Sequence, residues 1–284
     1  PRLEKDEPQL LSGVDQGHCT GSPLLLACPN TSTRSEDYEA LRRYPRPGHA
    51  DWTASLKYGG WNDPRGGGHF SGRLTWGLVC AGVVAKALLG PVRFHSLLTD
   101  LQGHPLDEQI LRQAGEEHDS LGGLITTTVE GVPPGLGEPF FHSVESLLAH
   151  GLFSIPGVRG VEFGTGFAAA GMRGSHHNDP FLNAAGHTRT NHAGGISGGI
   201  SNTNPLHLRV AVKPTASIDQ PQETVDLATG EGVSRTCGGR HDRCFALRVP
   251  VVVEAVCALV LADLLLRQRR RRSARTRAQT ASTT

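Results

Sequence analysis

The sequence predicts an α+β fold, and three observations predict it. Strand-like and helix-like segments follow one another without a regular strand–helix–strand alternation, which argues against a doubly wound sheet. Two apolar segments of helical length, residues 74–89 and 247–266, are separated by β-branched and alternating runs. Glycine makes up 36 of 284 residues and clusters between the apolar runs, so the chain has marked loops. With 37 % apolar and 19 % charged residues the composition is globular.

Taken in order, LEKDEPQLLSG ending at Gly13 reads as a strand entering a turn, and 22–29 is a second apolar run. Residues 35–44 read as a short helix, with Ser35 as N-cap and Glu36 and Asp37 in its first turn. The stretch RPGHADWTASLKYGG (46–60) is broken by Pro47, Gly48 and Gly59-Gly60, and no regular element is expected through His49. A glycine-rich loop, RGGGHFSG (65–72), follows. Residues 74–89 are apolar on every side and stop at Gly90-Pro91, which places that helix at the centre of a large domain.

A strand is expected at 92–97, an amphipathic helix at 107–114, and a β-branched strand at 121–130. PPGLG (133–137) breaks the chain; a helix at 144–152 and a strand at 158–163 come next. Residues 164–191 show no period and read as a long functional loop, continued by the glycine-rich NHAGGISGG (191–199). HLRVAV (207–212) alternates as a strand should. The 247–266 run could be taken for a membrane anchor, but Pro250, Glu254 and Asp263 interrupt it. An acid near a helix centre costs about 2.5–3.5 kcal/mol on insertion, so a buried core helix is the better reading.

Seven arginines and no acid lie from Arg267 onward, leaving 21 basic against 27 acidic residues before it. The expected organisation is one domain over 1–266 and a basic, disordered tail over 267–284. Cys19, Cys28, Cys80, Cys237, Cys244 and Cys257 form no CxxC pair and read as reduced thiols. SHHNDPF, with His176 and His177, and the later His187 and His192 match no metal-ligand spacing, so no metal is expected.

Four polar islands carry the candidate chemistry: Arg46-His49-Asp51, residues 65–73, residues 191–199 with KPTAS (213–217), and Arg240-His241-Asp242. Arginine forks match carboxylate and phosphate. Glycines let backbone N–H groups approach a phosphate or a flat ring. A histidine can donate a proton at neutral pH, and a nearby aspartate can orient it.

In order, these islands resemble one family, chorismate synthase. RPGHADWTASLKYGGWNDPRGGG resembles its signature loop, and GLFSIPGVRGVEFGTGF, TNHAGGISGGIS, KPTASI and GRHDRC follow in the family's order. The resemblance implies an α+β fold with apolar helices sandwiched between antiparallel sheets. It implies a cytoplasmic, homotetrameric lyase of aromatic amino acid biosynthesis that makes chorismate from 5-enolpyruvylshikimate 3-phosphate. The reaction is a 1,4-elimination of phosphate that needs reduced FMN, with NADPH a candidate reductant, and no nucleic acid or membrane partner.

By the same resemblance His49, Asp242 and Ser71 would be catalytic. Arg46, His49, Arg73 and Arg240 would hold the substrate. His69, Phe70, Ser71, Pro156, Gly157, Gly198, Lys213, Pro214, Thr215, Ala216, Ser217 and Arg240 would contact the flavin. The sequence departs from the family pattern at His69-Phe70, at Ala216 and at Arg243. It opens on Pro1, without the family's GESHG segment and its second catalytic histidine, so little turnover by this chain alone is expected. The alternatives are a flavin-binding remnant and a basic-tailed membrane or nucleic-acid binder.

Overall fold

A computed structural model describes residues 6–30, 40–237 and 242–281. The strands are β1 (Gln9–Ser12), β2 (Val14–Asp15), β3 (His18–Cys19), β4 (Leu25–Ala27), β5 (Arg93–Leu101), β6 (His104–Pro105) and β7 (Gly123–Glu130). They continue with β8 (Val158–Phe163), β9 (Ile196–Ser197), β10 (Ile200–Ser201), β11 (Leu206–Val212), β12 (Pro221–Val225) and β13 (Gly232–Thr236). The helices are α1 (Asp51–Lys57), α2 (Thr75–Leu89), α3 (Glu108–Glu116), α4 (Val144–Phe153), α5 (Gly174–His177) and α6 (Pro250–Ala281). The chain divides into two compact units. One comprises residues 1–80, 107–121 and 214–245; the other comprises 81–106, 122–213 and 246–284.

The second unit is built on a five-stranded antiparallel sheet in the order β6-β5-β7-β11-β8. Alternation decides which face is covered. Ile125, Thr127 and Val129 on β7 and Leu206, Leu208, Val210 and Val212 on β11 are buried, and the residues between them are not. Helices α4 and α6 pack against the sheet and against each other, and their Leu148, Leu152, Val253, Cys257, Ala258 and Leu261 are buried. Each fully buried leucine contributes about 1.5–3 kcal/mol. Ser143 starts α4 by accepting from the Ser146 N–H at 3.0 Å.

The two apolar helices differ in their surroundings. Residues 250–266 of α6 lie mostly inside the core, as expected of the 247–266 run. Its acid Glu254 is matched: Oε2 accepts from Lys86 Nζ at 2.6 Å and Oε1 from the Ser96 N–H at 3.0 Å. Helix α2 is not at the centre of a domain. Only its Gly82, Ala85 and Leu89 are buried, while Val83 is 66 % exposed. Gly82 abuts Ala255 so closely that a Cβ there would come within 2.4 Å of the Ala255 Cβ. Small residues make that crossing, and all-round apolar composition does not say how many faces are covered. Among the described residues, 72–89 is one helical stretch long and apolar enough to cross a membrane by length and composition.

The chain stays helical through Ala281, taking in the described arginines beyond residue 266. Arg267 pairs with Asp263 one turn back at 2.8 Å and Arg271 with Glu138 at 2.6 Å.

In the first unit, β12 and β13 form a hairpin that holds the approach to residues 46–51. Thr224 Oγ1 donates to the Pro45 carbonyl at 2.6 Å and the Leu227 N–H to the Arg43 carbonyl at 2.9 Å. Arg43 grips Asp226 through Nε, at 2.8 and 2.9 Å, and Nη2. Arg235 stacks on the Tyr44 ring at 4.2 Å. In α3, Asp107 is the N-cap and accepts from the Gln109 N–H at 2.8 Å, so that helix starts one residue after the expected position. The expected helix at 35–44 lies largely outside the described residues.

Candidate functional site

His49 sits in a turn made by Pro47 and Gly48, where Gly48 has φ +70° and the His49 N–H reaches the Arg46 carbonyl at 3.3 Å. A regular element does begin sooner than expected: α1 starts at Asp51. An acid in the first turn suits the positive end of a helix, and Asp51 also faces back onto the turn. Its Oδ1 accepts from His49 Nδ1 at 2.7 Å and from Arg46 Nη2 at 2.8 Å. Its Oδ2 accepts from Arg46 Nε at 2.8 Å and from the Arg46 N–H at 3.0 Å. Arg46 Nη1 completes the set by donating to Ser217 Oγ at 3.1 Å.

The group is largely enclosed, with the Arg46 and Asp51 side chains 8 % and 11 % exposed. Burial by itself raises Asp51. The hydrogen bonds from Arg46 and His49 and the Arg46 charge outweigh that and hold its carboxyl well below the usual range. Arg46 Nη2, which can only donate, lies 2.9 Å from Nδ1 and 3.3 Å from Nε2, but the carboxylate, which can only accept, makes the shorter contact at 2.7 Å. That contact favours Nδ1 as the protonated ring nitrogen and leaves Nε2 to take up and release a proton.

His49 and Ser71 flank one glycine. A Cβ built on Gly67 would lie 3.6 Å from the Ser71 Cβ and 4.0 Å from His49 Nε2. Ser71 Oγ accepts from the Arg73 N–H at 3.3 Å, and Arg73 Nη1 donates to Asn30 at 2.7 Å. His69 and Phe70 are exposed at the end of the preceding turn. The KPTAS segment ties two islands together. Ser217 binds Arg46, and two residues earlier Thr215 Oγ1 donates to the Asp242 carbonyl at 2.7 Å. Ala216 lies between them and Pro214 is exposed. Arg240 lies outside the described residues.

In the second unit the Lys213 N–H donates to the Gly157 carbonyl at 2.9 Å, next to Pro156. Burial, then the charge of Arg159, lowers the Lys213 pKa, so two cations share that neighbourhood. Gly198 (φ +60°) is exposed at the tip between β9 and β10, and no atom lies within 4 Å of where its Cβ would be. Among the described residues no group of three or more His, Cys, Asp or Glu is placed to hold a metal.

Asp51 belongs to the Arg46-His49-Asp51 island, and the structure shows that it is the aspartate that holds the His49 ring. Cys237 is another neighbour: burial and the nearby Asp51 raise its thiol while Arg46 opposes them. Nothing in the local sequence marks Cys237.

A histidine held by a carboxylate and an arginine, next to the Gly67 turn, is a grouping suited to proton transfer near an anion. Comparison with known proteins names the kind of protein. The chorismate synthase family profile matches residues 1–266. The chorismate synthase of Chitinophaga pinensis is 56 % identical over 271 residues, covering 95 % of this chain and 82 % of the relative. That of Korarchaeum cryptofilum is 45 % identical over 300 residues, covering 95 % and 83 %. A crystal structure of chorismate synthase superposes with a TM-score of 0.69 at 24 % identity, covering 92 % of this chain and 77 % of the other, which bears on the fold.

The chain belongs to the chorismate synthase family. It is a lyase of the shikimate pathway to aromatic amino acids, and the family carries a requirement for reduced flavin. The readings as a flavin-binding remnant or a basic-tailed binder are not favoured by this match.

Proposed function

We propose that the flavin is FMN, that NADPH is a candidate reductant, and that the substrate is 5-enolpyruvylshikimate 3-phosphate. His49 exchanges a proton at Nε2 while Asp51 holds Nδ1. Ser71, across Gly67 from His49, passes protons, and Asp242 acts as a base from the segment tethered by Thr215. Arg73 and Arg240 meet the substrate's carboxylates and phosphate. Arg46 adds positive charge, with its fork committed to Asp51 and Ser217. The single observation that carries this reading is the His49–Asp51–Arg46–Ser217 network.

The residues present suit the flavin. Lys213 with Arg159 offers positive charge for a phosphate tail, and Gly198 leaves backbone open to a flat ring. Residues 69–71 and 214–217 would contribute the remaining contacts. When bound, a reduced flavin supplies an electron-rich ring that assists loss of phosphate. The protein is proposed to act as a homotetramer in the cytoplasm.

The test is anaerobic phosphate release from the substrate with reduced FMN. Whatever rate the chain supports should fall about 10²–10⁴-fold in His49→Gln, the usual worth of a general acid. A rate unchanged by that substitution would remove His49 from the mechanism.

A further inference from the structure

The glycine turn at 191–199 is held from a distance. Asp179 lies 12 residues before Asn191, in the NDP turn that follows α5. Its Oδ1 accepts from Thr190 Oγ1 at 2.7 Å and from the His192 N–H at 2.8 Å, and its Oδ2 accepts from the Ala193 N–H at 3.0 Å. His192 Nδ1 lies 3.2 Å from the same carboxylate, and the His192 ring stacks on His177. The Asp179 side chain is 12 % exposed. Burial raises its pKa, but the N–H groups of Ala193 and His192 and the Thr190 hydroxyl outweigh it, so the group stays an anion.

All of these donors fall within residues 190–193. From there the turn is passed on by Asn191, whose Oδ1 accepts from the Gly195 N–H at 2.8 Å and whose Nδ2 donates to the Pro205 carbonyl at 2.8 Å. Gly164 presses on the same place, since a Cβ on it would come within 2.0 Å of the His192 carbonyl. The Asn191 end of the turn is therefore locked; the Gly198 end is held by the β9–β10 pairing and by the Val144 N–H on the Gly199 carbonyl at 2.9 Å, and the space beside Gly198 is open.

The geometry points to Asp179 as a positioning residue that holds residues 190–195 so that the Gly198 tip is ready for the flavin. This rests on the reading that Gly198 lines the flavin site. Among the described residues the bonds of Asp179 run to residues 190–193 and to none of the sheet strands, so its loss should loosen the turn without unfolding the unit. A ligand that needs a turn formed one-tenth of the time binds about tenfold more weakly.

FMN titration by calorimetry, with melting followed by circular dichroism, tests this on the whole chain. Asp179→Asn should raise the Kd for FMN about tenfold, leave the melting temperature within about 2 °C, and speed amide exchange at residues 190–199 alone. Thr190→Val, which removes one donor, should raise the Kd about threefold and keeps the test open if the first variant folds poorly. Gly198→Asn, which tolerates a positive φ and fills the open side, is the control and should weaken FMN binding. If Gly198→Asn weakens FMN while the Asp179 and Thr190 variants do not, the role of Asp179 is refuted and the lining role of Gly198 stands. If Gly198→Asn leaves the Kd unchanged, the lining role fails and the inference fails with it. A general loss of melting temperature in step with the Kd in both variants would make Asp179 a fold residue and overturn the proposal.

Discussion

The His49 turn and the turn leading to Gly198 are each held by a partly buried aspartate, but the aspartates are wired differently. Asp51 takes its donors from the charged Arg46 and from His49, the group proposed to move the proton. Asp179 takes most of its donors from backbone N–H groups and a hydroxyl. The first arrangement sets the protonation and orientation of one ring. The second sets the course of a backbone. Mutation should therefore separate them: the first by rate and acid stability, the second by ligand affinity.

The largest effect is expected at His49, whose replacement by Gln should cost about 10²–10⁴ in rate with little change in melting. Next comes Asp51→Ala, which leaves Arg46 enclosed without its partner. Breaking a fully buried pair costs about 3–5 kcal/mol. This pair is only partly screened from water, so about 2–3 kcal/mol is expected in urea unfolding. Ser217→Ala removes one hydrogen bond to a charged group and should cost about 1–2 kcal/mol by the same measurement.

The smallest effect is one of pH. Asp51 has its pKa depressed in the folded state, so its bonds contribute stability above the unfolded value of about 3.9. That contribution is lost as pH falls through the folded-state value. The melting temperature of Asp51→Asn should therefore depend less steeply on pH on the acid side than that of the parent. Equal slopes would show that Asp51 is not held as described.

The parts that could be read from the sequence are those where one local pattern has one outcome. β8 falls where it was expected, and β11 begins one residue early, because alternating and β-branched runs have few other uses. The His49–Asp51 contact is legible because the two residues are adjacent to the same turn. The hairpin of β12 and β13 was hidden because PQETV and GVSRT are polar and mostly exposed, which removes the hydrophobic period. The position of α2 was misjudged because Gly82 and Ala85 decide its packing through their size, which periodicity does not weigh. Asp179 was missed for a different reason. Its partners lie 11 to 14 residues away across a segment without period, and only coordinates bring them together.

The account turns on which nitrogen of His49 carries the resting proton. Long-range ¹⁵N–¹H correlation on histidine-labelled protein reads this directly. The account predicts Nδ1 protonated in the neutral ring, with Nε2 as the lone-pair nitrogen, and loss of that preference in Asp51→Ala. A neutral His49 protonated at Nε2, or a tautomer mixture indifferent to Asp51, would contradict it.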